Sequence, residues 1–404
     1  GGTPAESWTS AGTLKQVAEF REKLTEMEAL GFDKERLMAA YQKEMQAWER
    51  EFMNRDAGYG EGQPLWISSL QTGDGWQPMQ LPGFWERNGL DGFDGVVWFQ
   101  REIEIPAAWQ GKEVRLSLGK IDDEDITYYN GQEIARGQGH ATPRSYMIPA
   151  NEVKAGKGVL TIRVTDEGGI NGAPEDLYAE VGGERISLAG KWIYRIGMSV
   201  TDIPAKPVSP ESSHYPSGLY NAMVSPLTAF PVKGVIWYQG EENASRAEQY
   251  APLFRALIAD WRKQWKIDLP FYFVQLAGYM TPQEVQPDSR WAVLREAQAE
   301  ALHIANTGMI TAVDLGDPYD IHPKNKQDVG KRLAALSLAD TYRKGTYHMP
   351  VCTGYKVYDR TLALAFDSPV QANAGEVKGF VLAGPDGVFY PAKAWIERSK
   401  MLVK

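Results

Sequence analysis

Between Val235 and Asp340, short apolar runs that end in polar residues alternate with apolar stripes at helical spacing, which points to a parallel α/β layer. Val235, Ile236 and Trp237 read as a buried strand that stops at a polar cluster, Gln239, Gly240, Glu241, Glu242 and Asn243. Tyr250, Leu253, Leu257 and Trp261 then mark a helix, and Phe271 to Leu276 a second strand with Gln275 near its end. Trp291, Leu294, Gln298 and Ala301 share one helical face, begun by Asp288 or Ser289 as cap. Met309 to Asp314 repeats the first event, an apolar run ending in an acid, and Asp320-Ile321-His322-Pro323 follows. Asn325 can cap the next helix, with Val329, Leu333 and Leu336 inward. In open α/β sheets ligands bind beyond the carboxyl ends of the strands, where these polar residues stand.

Either side of this layer the pattern changes. Leu14, Val17, Phe20, Leu24 and Met27, and after Gly31 the series Leu37, Tyr41, Met45, Trp48 and Phe52, predict two helices with one buried stripe each, Thr9 or Ser10 capping the first. From about Gly58, turn residues punctuate short β-rich runs at 96–105, 114–118, 126–134 and 159–164, with the hairpin signal Asn130-Gly131 inside the third. A β module set between α/β segments reads as an insertion. The expected organisation is 1–57, first part of the α/β domain; 58–203, inserted β domain; 204–345, second part of the α/β domain; and 346–404, a β module that is incomplete at its end. A further strand is expected beside Val388 to Ala392.

The formal charge of -9, without a basic run, argues against nucleic acid as partner. The single cysteine, Cys352, excludes an internal disulfide framework and cysteine-rich metal sites. The five histidines form no close pair, so no metal and no cofactor are expected, and no apolar run is long enough to span a membrane. The opening Gly1-Gly2-Thr3-Pro4 lacks a Met and reads as a processed or split chain.

The chemistry-bearing residues lie at the strand ends. Acid–base work wants an imidazole oriented by a carboxylate, and His322 with Asp320 two positions before it is the histidine so placed, Asp317 and Asp314 being further acids within reach. The plain alternative is a surface turn at Pro323 with His322 capping the next helix. Gln239 carries an amide that could face a developing oxyanion, with Gly240 permitting close approach, or could satisfy backbone groups at the strand end. Glu241 reads as a general acid or as a helix N-terminal carboxylate, and Asn243 as a cap. Gly1-Gly2 marks a close backbone approach or a free end.

Trp237-Tyr238-Gln239-Gly240-Glu241 with Asn243, together with Asp320-Ile321-His322-Pro323 and Asn325-Lys326-Gln327, resembles the sialate O-acetylesterase family of SGNH-type serine esterases. GGTPAESWTS at 1–10 and PSGLYNAMVSP at 216–226 resemble further blocks of that family. The resemblance implies an SGNH-hydrolase-like three-layer domain interrupted by a jelly-roll-like β-sandwich, plus a C-terminal β module. It implies His322 as base, Asp320 as its orienting acid, Gln239 as the side-chain amide of the oxyanion hole, and Gly2 or Gly1 as a backbone donor. Glu241 and Asn243 are structural or near the substrate, which is an O-acetylated sugar or a sialic acid. The family's acid tends to stand three positions before the histidine, where this chain has Tyr319.

The family's nucleophile block, G-x-S-N-M, is missing; Ser7, Ser10 and Ser225 follow no strand-to-helix elbow. An upstream segment or second polypeptide is therefore expected to supply the serine. The resemblance implies a secreted or periplasmic bacterial enzyme. Other readings are an acetylxylan-type esterase, a glycoside hydrolase using Glu241 with Asp314 or Asp320, and a non-catalytic glycan-binding chain. A sialic acid carboxylate would call for an arginine, with Arg195, Arg290 and Arg144 as candidates.

Overall fold

The computed structural model describes residues 2–404, apart from 86–87, 91–92, 122, 167–168, 200–201, 203–205, 286–288, 373–376 and 398–399. Gly1 and Asp288 lie outside the described residues. The protein mixes helices with several sheets, and the chain divides into two units, Gly1–Ala39 with Val208–Lys404, and Ala40–Pro207.

In the first unit, Val235–Trp237, Phe271–Gln275 and Thr307–Thr311 pair in that order as a parallel sheet. Side chains of a strand alternate between faces, and the second strand shows it. Phe271 and Phe273 join Trp237, Met309 and the helices Tyr250–Trp265 and Arg290–Glu300 in one core. Tyr272 and Val274 turn to the opposite face and pack with Ile310, Ala312 and the helix Lys326–Asp340. The middle strand is thus buried on both faces, which explains its run of apolar residues without polar alternation. Ser289 and Asn325 cap their helices as expected, accepting from Ala292 and Asp328.

The amino-terminal stripe is buried as read: Leu14, Val17, Phe20, Leu24 and Met27 all enter the first core. It is carried by short turns and the helix Arg21–Ala29 rather than by one helix, and the hydroxyl of Ser10 meets Asp260 at 2.7 Å instead of capping. Residues beyond Gly345 form a five-stranded antiparallel sheet. Phe389–Glu397 pairs with Val377–Ala383 through Phe389 to Ala394 and with Lys400–Val403 through Ala394 to Glu397.

The second unit holds two antiparallel six-stranded sheets that share one core. Val97 and Phe99 of Gly95–Ile105 face Leu116 and Leu118 of Val114–Ile121 in it, while Val96 and Trp98 point the other way, into a cluster with Phe52, Trp66 and Tyr128. Asn130 and Gly131 both adopt positive φ at the tip joining Glu124–Tyr129 to Gln132–Gln138.

Candidate active site

Gln239 leaves the end of the first strand and is 5% exposed. The chain turns at Gly240, whose φ of 153° few side chains tolerate; an added Cβ would sit 2.8 Å from Leu294 Cδ2. That turn directs Gln239 into a polar network. Its Nε2 donates to Thr3 O at 3.0 Å and to Asn243 Oδ1 at 2.6 Å, and its Oε1 accepts from the Tyr250 hydroxyl at 2.9 Å. Gln298, from the helix Arg290–Glu300, donates to the Gln239 carbonyl at 3.1 Å.

Asn243 is 2% exposed and is not the cap expected of it. Its Oδ1 also accepts the Ala5 N–H at 2.9 Å, and its Nδ2 donates to Glu6 at 3.0 Å. The other oxygen of buried Glu6 takes a bond from Arg246 at 2.7 Å. The polar cluster after the first strand is therefore joined to main-chain groups of Thr3 and Ala5 and to the side chain of Glu6. Glu241 is half-buried, and its charge helps to hold the Tyr238 hydroxyl's pKa up at about 12, a shift due first to burial. Gly2 is exposed, next to the clamped Thr3.

His322 and Asp320 are brought together. Asp320 Oδ1 accepts the main-chain N–H of His322 at 2.8 Å and lies 3.3 Å from its Nδ1. The imidazole is 89% exposed. These contacts hold the Asp320 carboxyl below the usual range, the backbone bond contributing most. The other acids are engaged elsewhere. Asp317 accepts the Tyr319 N–H at 2.9 Å, and Tyr319 itself is 84% exposed. Asp314 is clasped by Arg332 through bonds of 2.7 and 2.6 Å. A cleft of about 440 Å³ opens beside this pair, lined also by Thr311, Tyr347 and His348. Its volume falls in the range of small-ligand sites.

None of the three serines singled out hydrogen-bonds to His322. Ser7 is buried and donates to the Pro4 carbonyl, Ser10 donates to Asp260, and Ser225 opens a short turn of 3-10 helix. Of the arginines, Arg144 is buried on Asp125, Arg195 lies over the Trp66 ring, and Arg290 bonds the Ser245 carbonyl. Sequence reading missed Glu6, Arg246 and Tyr250 as site-building residues. It also missed His214, which sits 3.3 Å from both Ser212 Oγ and Glu242 Oε1. A carboxylate with no charge partner nearby in sequence, as at Glu6, was the signal available. Among the described residues no group of three His, Cys, Asp or Glu side chains could hold a metal ion.

Residues 198–339 match the family described as carbohydrate esterase, sialic acid-specific acetylesterase. The sialate O-acetylesterase of Rattus norvegicus is 34% identical over 202 residues, 45% of this chain and 37% of that protein. That of Homo sapiens is 35% identical over 168 residues, covering 37% and 32%. The chain thus matches about a third of the length of these relatives. A carbohydrate acetylesterase from Xanthomonas citri superposes with TM-score 0.46 and 24% identity, over 75% of this chain and 91% of that one. Residues 198–339 are thus similar to the carbohydrate esterase family of sialic acid-specific acetylesterases.

Proposed function

We propose that this chain forms the base-bearing part of a serine esterase that removes acetyl groups from sugars. The observation that carries the reading is the His322–Asp320 contact of 3.3 Å beyond the third strand of the parallel sheet. Neutral His322 takes the proton of a serine hydroxyl as it attacks the acetyl carbonyl, and returns it to the departing sugar oxygen. Asp320 orients the ring and steadies the imidazolium. The exposed N–H of Gly2 is the backbone donor to the oxyanion. The domain reading is an SGNH-like three-layer domain, 1–57 and 204–345, with a β-sandwich inserted at 58–203 and a β module from 346; the division of the chain into 1–39 with 208–404 and 40–207 supports an insertion, with its first boundary earlier. A secreted or periplasmic setting fits a substrate carried on glycans.

The serine comes from a strand outside these 404 residues, on an upstream segment or a second polypeptide. Among the described residues Val235–Trp237 is the terminal strand of its sheet, and Ile236 on it is 66% exposed. Unpaired edges with exposed apolar side chains are what a further strand covers.

The test compares acetate release from O-acetyl sialic acid and acetylated xylan by an active preparation, with intact mass recorded on the same sample. His322→Ala should lower release by about 10²–10⁴-fold. Unchanged release would exclude His322 as base. Release by this chain as the sole species present would exclude a serine from outside it.

A further inference from the structure

The amide of Gln239 has no hydrogen left for a ligand. One goes to Thr3 O at 3.0 Å and the other to Asn243 Oδ1 at 2.6 Å. The orientation follows from the partners. The Ala5 N–H requires an acceptor on Asn243, and Glu6 requires a donor on its other arm. Asn243 therefore presents oxygen to Gln239, and the Thr3 carbonyl also presents oxygen, so the group facing both is NH₂. The Tyr250 hydroxyl meets the remaining Oε1 at 2.9 Å. Everything here is buried except the Thr3 end, so turning the amide round would leave several polar groups facing like partners without water to relieve them.

From this we infer that Gln239 is a positioning residue. With Asn243 and Glu6 it forms a clasp that holds the main chain of residues 2–6 against the end of the parallel sheet. Three of its bonds reach the amino-terminal segment: Gln239 to Thr3 O, the Ala5 N–H to Asn243, and Asn243 to Glu6. Arg246 anchors the far oxygen of Glu6, and the Glu6 carbonyl accepts the Ser217 N–H at 3.0 Å. Gly2 adjoins the clamped Thr3, so release of the clasp would free its N–H as well. The catalytic consequence rests on the esterase reading; the clasp itself does not.

Hydrogen–deuterium exchange on the 404-residue chain tests the clasp directly. Gln239→Met keeps the volume and removes both donors. Amides of residues 3–9 should then exchange at least about tenfold faster, while Phe271–Gln275 keeps its protection. Gln239→Glu should release the same segment, and adding Asn243→Ser should release it no further, because both side chains hold one piece of chain. Unchanged protection of residues 3–9 in a folded Gln239→Met chain would overturn the inference. Should that variant not fold, Glu6→Gln is read in its place: faster exchange confined to residues 3–9 supports the clasp, and exchange as in the parent chain overturns it.

In a preparation that hydrolyses acetyl esters, Gln239→Met should lower kcat with KM unchanged, and its loss should not add to that of Asn243→Ser. Additive losses would mark Gln239 as an independent oxyanion donor and overturn the positioning role. A preparation releasing no acetate would count against the esterase reading, with the exchange measurement still deciding the clasp.

Discussion

Arg332 closes on Asp314 with both terminal nitrogens, Nη1 and Nη2 meeting the two carboxylate oxygens at 2.7 and 2.6 Å. Bidentate pairs of this kind are among the stronger charge-assisted contacts. The geometry engages Asp314 with Arg332 rather than with His322.

The same pair sets an acid dependence. Arg332 bonding, the largest influence, holds the Asp314 carboxyl below its ordinary value, and Asp320, Asp328 and Asp367 are lowered too. A carboxylate depressed in the folded state contributes stability that is fully present above its unfolded pKa of about 3.9 and is lost as pH falls through the lower folded value. The melting temperature should therefore hold from pH 7 to about 5 and drop below about 4. Asp314→Asn should flatten the drop slightly, since its carboxylate is 58% exposed and solvent weakens the pair. Thermal scans across that range provide the check.

Asp320→Asn should reduce acetate release by less than His322→Ala does. The amide oxygen can still accept the His322 N–H and keep the turn, but it brings no charge to the imidazolium that forms. Rates of both variants on one substrate decide this; equal losses would give Asp320 a larger part than orientation.

Asp125→Ala should destabilise the unit 40–207 by about 3–5 kcal/mol, the usual result of orphaning a buried charge. Asp125 and Arg144 are 0% and 2% exposed, 2.6 Å apart, and Tyr146 and Thr127 also donate to the carboxylate. Adding Arg144→Met should recover part of the loss by removing the orphan. Denaturant unfolding followed by tryptophan fluorescence measures both.

Gly240→Ala should lower stability by about 1–3 kcal/mol, from overpacking against Leu294 and the strained φ of 153°. Because that turn aims Gln239, the variant should also loosen residues 3–6. Exchange at the Ala5 amide reports on the second effect.

Much of the framework was legible beforehand. The stripes Tyr250, Leu253, Leu257, Trp261 and Val329, Leu333, Leu336 are buried where their periods place them. Ser289, Asn325 and the Asn130-Gly131 turn do what their side chains and backbones favour. The short strands Cys352–Tyr358 and Lys400–Val403 escaped notice: the first is exposed along its length and shows no burial pattern, and the second spans four residues. His322 and Asp320 could be paired from spacing, since two residues in one turn cannot lie far apart.

By itself, then, the sequence determined the elements and their buried faces, because helix and strand periods act between residues two to four apart. The tertiary structure decided the duties of the polar residues. Gln239 could face an oxyanion or the backbone, and only the fold brought Thr3, 236 residues away, within 3.0 Å of it. Asp314 stood as a further candidate acid for His322 until Arg332, 18 positions on, took it. Hydrogen bonds act over about 3 Å, so partners are chosen by which side chains packing brings together, a choice that residue order alone does not encode.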